Sequence, residues 1–142
     1  KGLVYCQIGN ILNDAKEFDM AQQNFNQALA LSNTGDIVKF EANHGLGILY
    51  YNHAADYIEA ANRVPETDVS GKYEELLNQS KEQFKLAIPH FQESIKMVEN
   101  DQYRVQQYVT ALRALKTIYA RLEMYDQMPD ITKRLQALGL DN

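Results

Sequence analysis

Apolar and polar positions along the 142-residue chain alternate with helical period. Between Lys1 and Leu31, Tyr5, Ile8 and Leu12 fall on one face of a helix, and Ala21, Phe25 and Ala28 on one face of a second, with a turn near Lys16. This predicts an antiparallel helical hairpin. Gly9 and Ala21 are small enough for its two helices to approach closely, and Phe25 is placed to fill the gap to the next hairpin. Asn33, Thr34 and Gly35 read as a stop, and Asp36 as the N-cap of a new helix.

A second hairpin carries Leu46, Gly47 and Tyr50 on its first helix, then Ala87, Phe91 and Ser94 on its second. Gly9 and Ala21 lie 12 residues apart whereas Gly47 and Ala87 lie 40 apart, so this hairpin holds an insert of 28 residues. Ala54 to Asn62 continue its first helix, a loop with Pro65, Asp68, Ser70 and Gly71 follows, and Tyr73 to Gln83 lead into the second. Extensions of about nine residues each predict a protrusion of roughly 13 Å. Pro89 predicts a bend in the long second helix. From Asp101 a third hairpin places Leu112, Leu115, Tyr119 and Leu122 on one helix and Met128, Ile131 and Leu135 on the next, capped by Gly139 and ended by Asp141 and Asn142. The expected organisation is one domain over 1–142, with units at 1–35, 36–100 and 101–142.

Repetition of Tyr5, Ile8, Gly9, Leu12, Phe18, Ala21, Phe25 and Ala28 as Leu46, Gly47, Tyr50, Ala87 and Phe91, and more weakly as Leu112, Leu115, Tyr119 and Tyr125, resembles the tetratricopeptide repeat (TPR). The departures are Asn33 for the terminal Pro, Asn43 at the Trp place, and Lys116, Met128 and Thr132 for the Gly, Ala and Phe of the third unit. The resemblance implies an all-α, right-handed α-α superhelix of three helical hairpins, the middle one extended, that binds protein or peptide without catalysis. More narrowly, residues 110–139 are similar to the C-terminal end of uncharacterised repeat proteins common in Bacteroidetes, which implies a periplasmic or cell-envelope setting.

The family's first helices line a concave groove. Carried over, that places Cys6, Asn10, Asp14, His44, Ile48, Asn52, Arg113, Thr117 and Arg121 there, with Arg113 and Arg121 favouring an acidic ligand. The same residues also fit an ordinary solvated surface. A clamp for a C-terminal carboxylate, known in some members, would keep only Asn10, since Cys6, Gly45, Thr110 and Ala114 stand at its other places. Tyr57, Ile58, Val64, Val69 and Tyr73 could make the hairpin tip adhesive or pack its two extensions together.

A formal charge of −5 and a pI near 5.1 give no electrostatic attraction to nucleic acid or anionic lipid. The longest apolar run, Gly45 to Tyr51, is too short to span a bilayer. The single cysteine excludes an intrachain disulfide, and as a nucleophile it would need a neighbouring base. His44 and His53 lie about 180° apart on one helix and His90 follows the proline, so no metal site and no cofactor are expected. Gly45 and Gly47 sit in a helical pattern and read as packing glycines rather than a phosphate loop, and Asn78-Gln79-Ser80 matches a glycosylation acceptor inside a predicted helix. A start at Lys1 without Met suggests an excised piece of a longer protein, and Leu3, Val4 and Ile11 form an uncapped apolar edge that invites stacking or self-association. A small α-helical enzyme would need an acid-base or nucleophile cluster that the sequence does not concentrate anywhere.

Overall fold

The computed structural model describes residues 1–31 and 33–140, and the expected polar end at Asp141 and Asn142 lies outside them. Among the described residues there are six α-helices and no strand: α1 (Gly2–Asp14), α2 (Phe18–Ala30), α3 (Asp36–Asn62), α4 (Lys72–Val98), α5 (Val105–Arg121) and α6 (Met128–Ala137). Short 3-10 turns, Gln102–Arg104 and Tyr125–Gln127, lead into α5 and α6. The extensive contacts run between neighbours in chain order: each helix packs on the next, and α3 also touches α1 and α5. Such a chain of nearest-neighbour contacts is what stacked helical units produce.

Three of the helix ends are closed by the same device. After α1, the Lys16 amide donates to the Asn13 carbonyl and the Glu17 amide to Leu12. After α5, Glu123 donates to Ala120 and Met124 to Tyr119, and after α6, Gly139 donates to Gln136 and Leu140 to Leu135. This paired 6→1 and 5→2 pattern needs a left-handed residue at its centre. Lys16, Glu123 and Gly139 supply it with φ of 62°, 58° and 71°. The same turn therefore closes the first and third hairpins at positions 107 residues apart, the spacing at which their apolar patterns align.

The middle hairpin extends as its sequence predicts. α3 and α4 are 27 residues each, about 40 Å long at 1.5 Å per residue and twice the length of the 13-residue α1 and α2. At its tip, Asp68 Oδ1 accepts from the Ser70 amide at 2.8 Å, and Gly71, at φ 85°, starts α4. Apolar contacts continue along the extension through Ala54, Ile58 and Phe84. Val69 at the tip is 97% exposed. α4 continues unbroken through Pro89, whose missing N–H removes the helical bond to the Lys85 carbonyl. One boundary differs from expectation: Gly35, not Asp36, holds the N-cap place of α3. Asp36 is instead the first helical residue, where its carboxylate faces the positive end of the helix dipole.

The interior forms two clusters. One gathers Cys6, Ala21, Phe25, Ala28, Ala42, Leu46 and Leu49 from α1, α2 and the first half of α3. The other runs from Ala54, Phe84 and Phe91 to α5 and α6. Tyr50 packs against both, accepts a hydrogen bond from Gln22 Nε2 at 2.9 Å and stacks on His90.

A non-glycine residue in the left-handed region carries steric strain that glycine relieves. Replacing Glu123, which is exposed, with Gly should raise the denaturant midpoint by an amount corresponding to about 0.5–1 kcal/mol, although Gly is a poor helix former elsewhere. A loss of stability in urea unfolding would show that this turn is not held as described.

Candidate functional site

Residues carried over to the first helices divide into packed and open groups. Cys6 is buried, with its Sγ 3.9 Å from the Val38 carbonyl, and burial pushes its thiol up to about 11. That removes it as a nucleophile at neutral pH. His44 stacks on Phe40 at 5.5 Å and meets the edge of Phe91 at 6.2 Å. Its Nδ1 is buried without a hydrogen-bond partner among the described residues. Burial holds its pKa below the ordinary value, with the Glu41 carboxylate opposing more weakly. Ile48 is half-buried against the second cluster.

Asp14 and Asn52 come together. They line one small cavity with Asn13, Lys16, Phe18 and Asp56, between the end of α1 and the middle of α3. Lys16 Nζ lies 3.1 Å from Asp56 Oδ1 and ties the first turn to α3. Asn13 is only 4% exposed, and its Oδ1 has no hydrogen-bond partner among the described residues. A buried acceptor left unmade costs about 1–3 kcal/mol. Sequence reasoning missed Asn13. Its only signal was a polar residue on the inward face of α1, at the same helical phase as Gly2, Cys6 and Gly9.

On α5, Arg113, Thr117 and Arg121 are exposed at four-residue spacing, opposite buried Leu112, Leu115 and Tyr119. Neither arginine has an ion-pair or hydrogen-bond partner among the described residues. Asn10 is exposed on α1. The structure thus gives two open polar patches, Asp14 with Asn52 and the α5 row, while His44 is packed between rings.

The histidines serve as packing groups. His53 stacks between Phe18 at 4.5 Å and Tyr57 at 4.9 Å. His90 lies between helices, with Nδ1 3.0 Å from Asn43 Oδ1 and its ring on Tyr50, and burial lowers its pKa. Among the described residues no group of three or more His, Cys, Asp or Glu is placed to hold a metal ion, and no helix is long and apolar enough to cross a membrane.

The lowered pKa of His44 fixes a pH dependence. The unfolded chain takes up a proton near 6.5 while the folded one resists it, so folding is favoured above that pH and loses stability as pH falls below it. His44→Phe should flatten the part of the stability profile below the ordinary histidine pKa that His44 causes, leaving the part from His90. Parallel pH profiles of the two proteins in urea titrations would refute it.

Comparison with known proteins returned no matching family model and no significant match to a curated protein or a solved structure.

Proposed function

We propose that this chain is a non-catalytic module of the tetratricopeptide type, a right-handed stack of three hairpins that binds an extended polypeptide along its first helices. The observation that carries this reading is the cavity between α1 and α3, where Asp14 and Asn52 converge. A backbone N–H of a bound chain can donate to the Asp14 carboxylate at the cavity mouth, and Asn52 can both donate and accept. Further along, Arg113 and Arg121 offer two cations on an otherwise acidic protein, which selects carboxylates on the ligand. Ligand register along the groove then follows from the spacing between these two patches.

Asn52, Arg113 and Arg121 are on the surface or half-exposed, so their replacement by Ala should leave helicity and melting temperature unchanged. Immobilised wild-type protein should capture a specific polypeptide from lysate of its source organism, and the triple variant should bind that polypeptide at least about tenfold more weakly, as expected for loss of charge-assisted hydrogen bonds. Equal affinity of the variant for the captured polypeptide would place binding elsewhere and overturn the groove reading.

A further inference from the structure

The face of α1 that points away from α2 is apolar and open. Val4, Ile8 and Ile11 are 54%, 40% and 68% exposed. Adding 38 to their numbers gives Ala42, Leu46 and Leu49 of α3, and adding 107 gives Ala111, Leu115 and Ile118 of α5. All six of those residues are at most 1% exposed. The three of α3 lie in one cluster with Ala21, Phe25 and Ala28 of α2. The three of α5 lie in the other cluster with Phe84, Ala87 and Phe91 of α4. Twice in this chain, therefore, the second helix of one hairpin covers this same stripe on the first helix of the next. On α1 alone the stripe has no cover, and it is the most apolar of the three by side-chain size at the position that begins it, Val4 against Ala42 and Ala111.

From this register we infer that α1 carries a docking face for the second helix of a further hairpin, standing ahead of α1 in the same stacking order, as α2 stands to α3 and α4 to α5. The chemistry of that helix is constrained. In α3 the place facing the preceding aromatic is Gly45, where an added Cβ would come within 2.3 Å of the Phe25 ring. In α5 that place is Ala114, but in α1 it is Gln7, which is exposed. The docking helix accordingly presents small apolar residues to Val4, Ile8 and Ile11, and a side chain smaller than Phe, able to hydrogen-bond an amide, to Gln7. The face of α6 does not fit this description. Its positions equivalent to Ala21, Phe25 and Ala28 are Met128, Thr132 and Leu135, with Thr132 where the ring stands and Met128 and Leu135 already packed in the α5 cluster, so a second copy stacked tail to head offers α1 little apolar cover. This inference does not depend on the groove, since it rests on the register of Val4, Ile8 and Ile11 with the covered stripes of α3 and α5.

The test places residues 1–38 directly ahead of Lys1 in the whole chain, which continues the register because Lys1 then stands where Lys39 stands in α3. The fused chain and the parent both carry Gln7→Gly in the original α1, the residue α3 has at that place, so that the copied Phe25 is accommodated. Amides of α1 should exchange at least roughly tenfold more slowly in the fused chain than in the parent. Replacing Val4, Ile8 and Ile11 of the original α1 with Gln should lower the melting temperature of the fused chain by roughly 4 °C more than that of the parent. A prefix with the copied 18–30 segment scrambled should give no protection. Equal losses in fused chain and parent, unchanged exchange, or equal protection by the scrambled prefix would each overturn the inference. So would a parent dimer, seen by sedimentation, that the three substitutions abolish, because a second copy would then be the occupant.

Discussion

Two phenylalanine rings pressed onto glycine backbones set the distances between the helices of this protein. Phe25 lies so close to α1 and α3 that a Cβ on Gly9 or Gly45 would fall within 2.8 and 2.3 Å of its ring, and Phe91 lies 2.8 Å from where a Cβ on Gly47 would stand. Both rings are fully buried. Burial of each contributes on the order of 1.5–3 kcal/mol. The greater effect is geometric, because a ring that touches two helices at once fixes α1, α2 and α3 as a unit. The helix-propensity cost of three mid-helix glycines, up to about 1 kcal/mol each, is offset by that approach.

The rest follows from this spacing. Helices held so closely leave their remaining faces either to the next hairpin or to solvent, so each first helix has a side for packing and a side for polar residues. His44 marks where the two uses conflict: it stands at the same place in α3 as Arg113 in α5, yet its ring is drawn between Phe40 and Phe91. Arg104, stacked 4.8 Å from the Phe40 ring centroid and 2.8 Å from Glu41, joins the entry to the third hairpin onto the same spot. The long middle hairpin needs no separate core, since Ala54, Ile58 and Phe84 carry the second cluster outward along it.

Helix number, the insert and its loop were legible in the sequence because apolar period and turn residues are local signals. The packing of Phe25 between hairpins was legible for a related reason, since Gly9, Gly45 and Gly47 have no other use inside helices. The left-handed turns at Lys16 and Glu123 were not, because neither residue type announces that conformation. Nor was the fate of the positions carried over from the resemblance: it put Cys6, His44 and Arg113 at equivalent places, but only neighbouring side chains decide that the first is buried, the second stacked and the third open. Asn13 escaped notice because a buried amide looks in sequence like any polar residue near a helix end.

The central claim is that Phe25 and Gly45 form one mechanical contact between the first and second hairpins, and a double-mutant cycle measures it directly. Gly45→Ala should overpack the contact and cost about 1–3 kcal/mol, and Phe25→Leu should leave a void and also destabilise. In the double variant the added methyl partly fills the space the ring vacates. Unfolding in urea should therefore give a double variant more stable than the sum of the single losses predicts, with a coupling of about 1 kcal/mol or more. Strict additivity would contradict the account, since it would mean that the ring and the glycine do not meet.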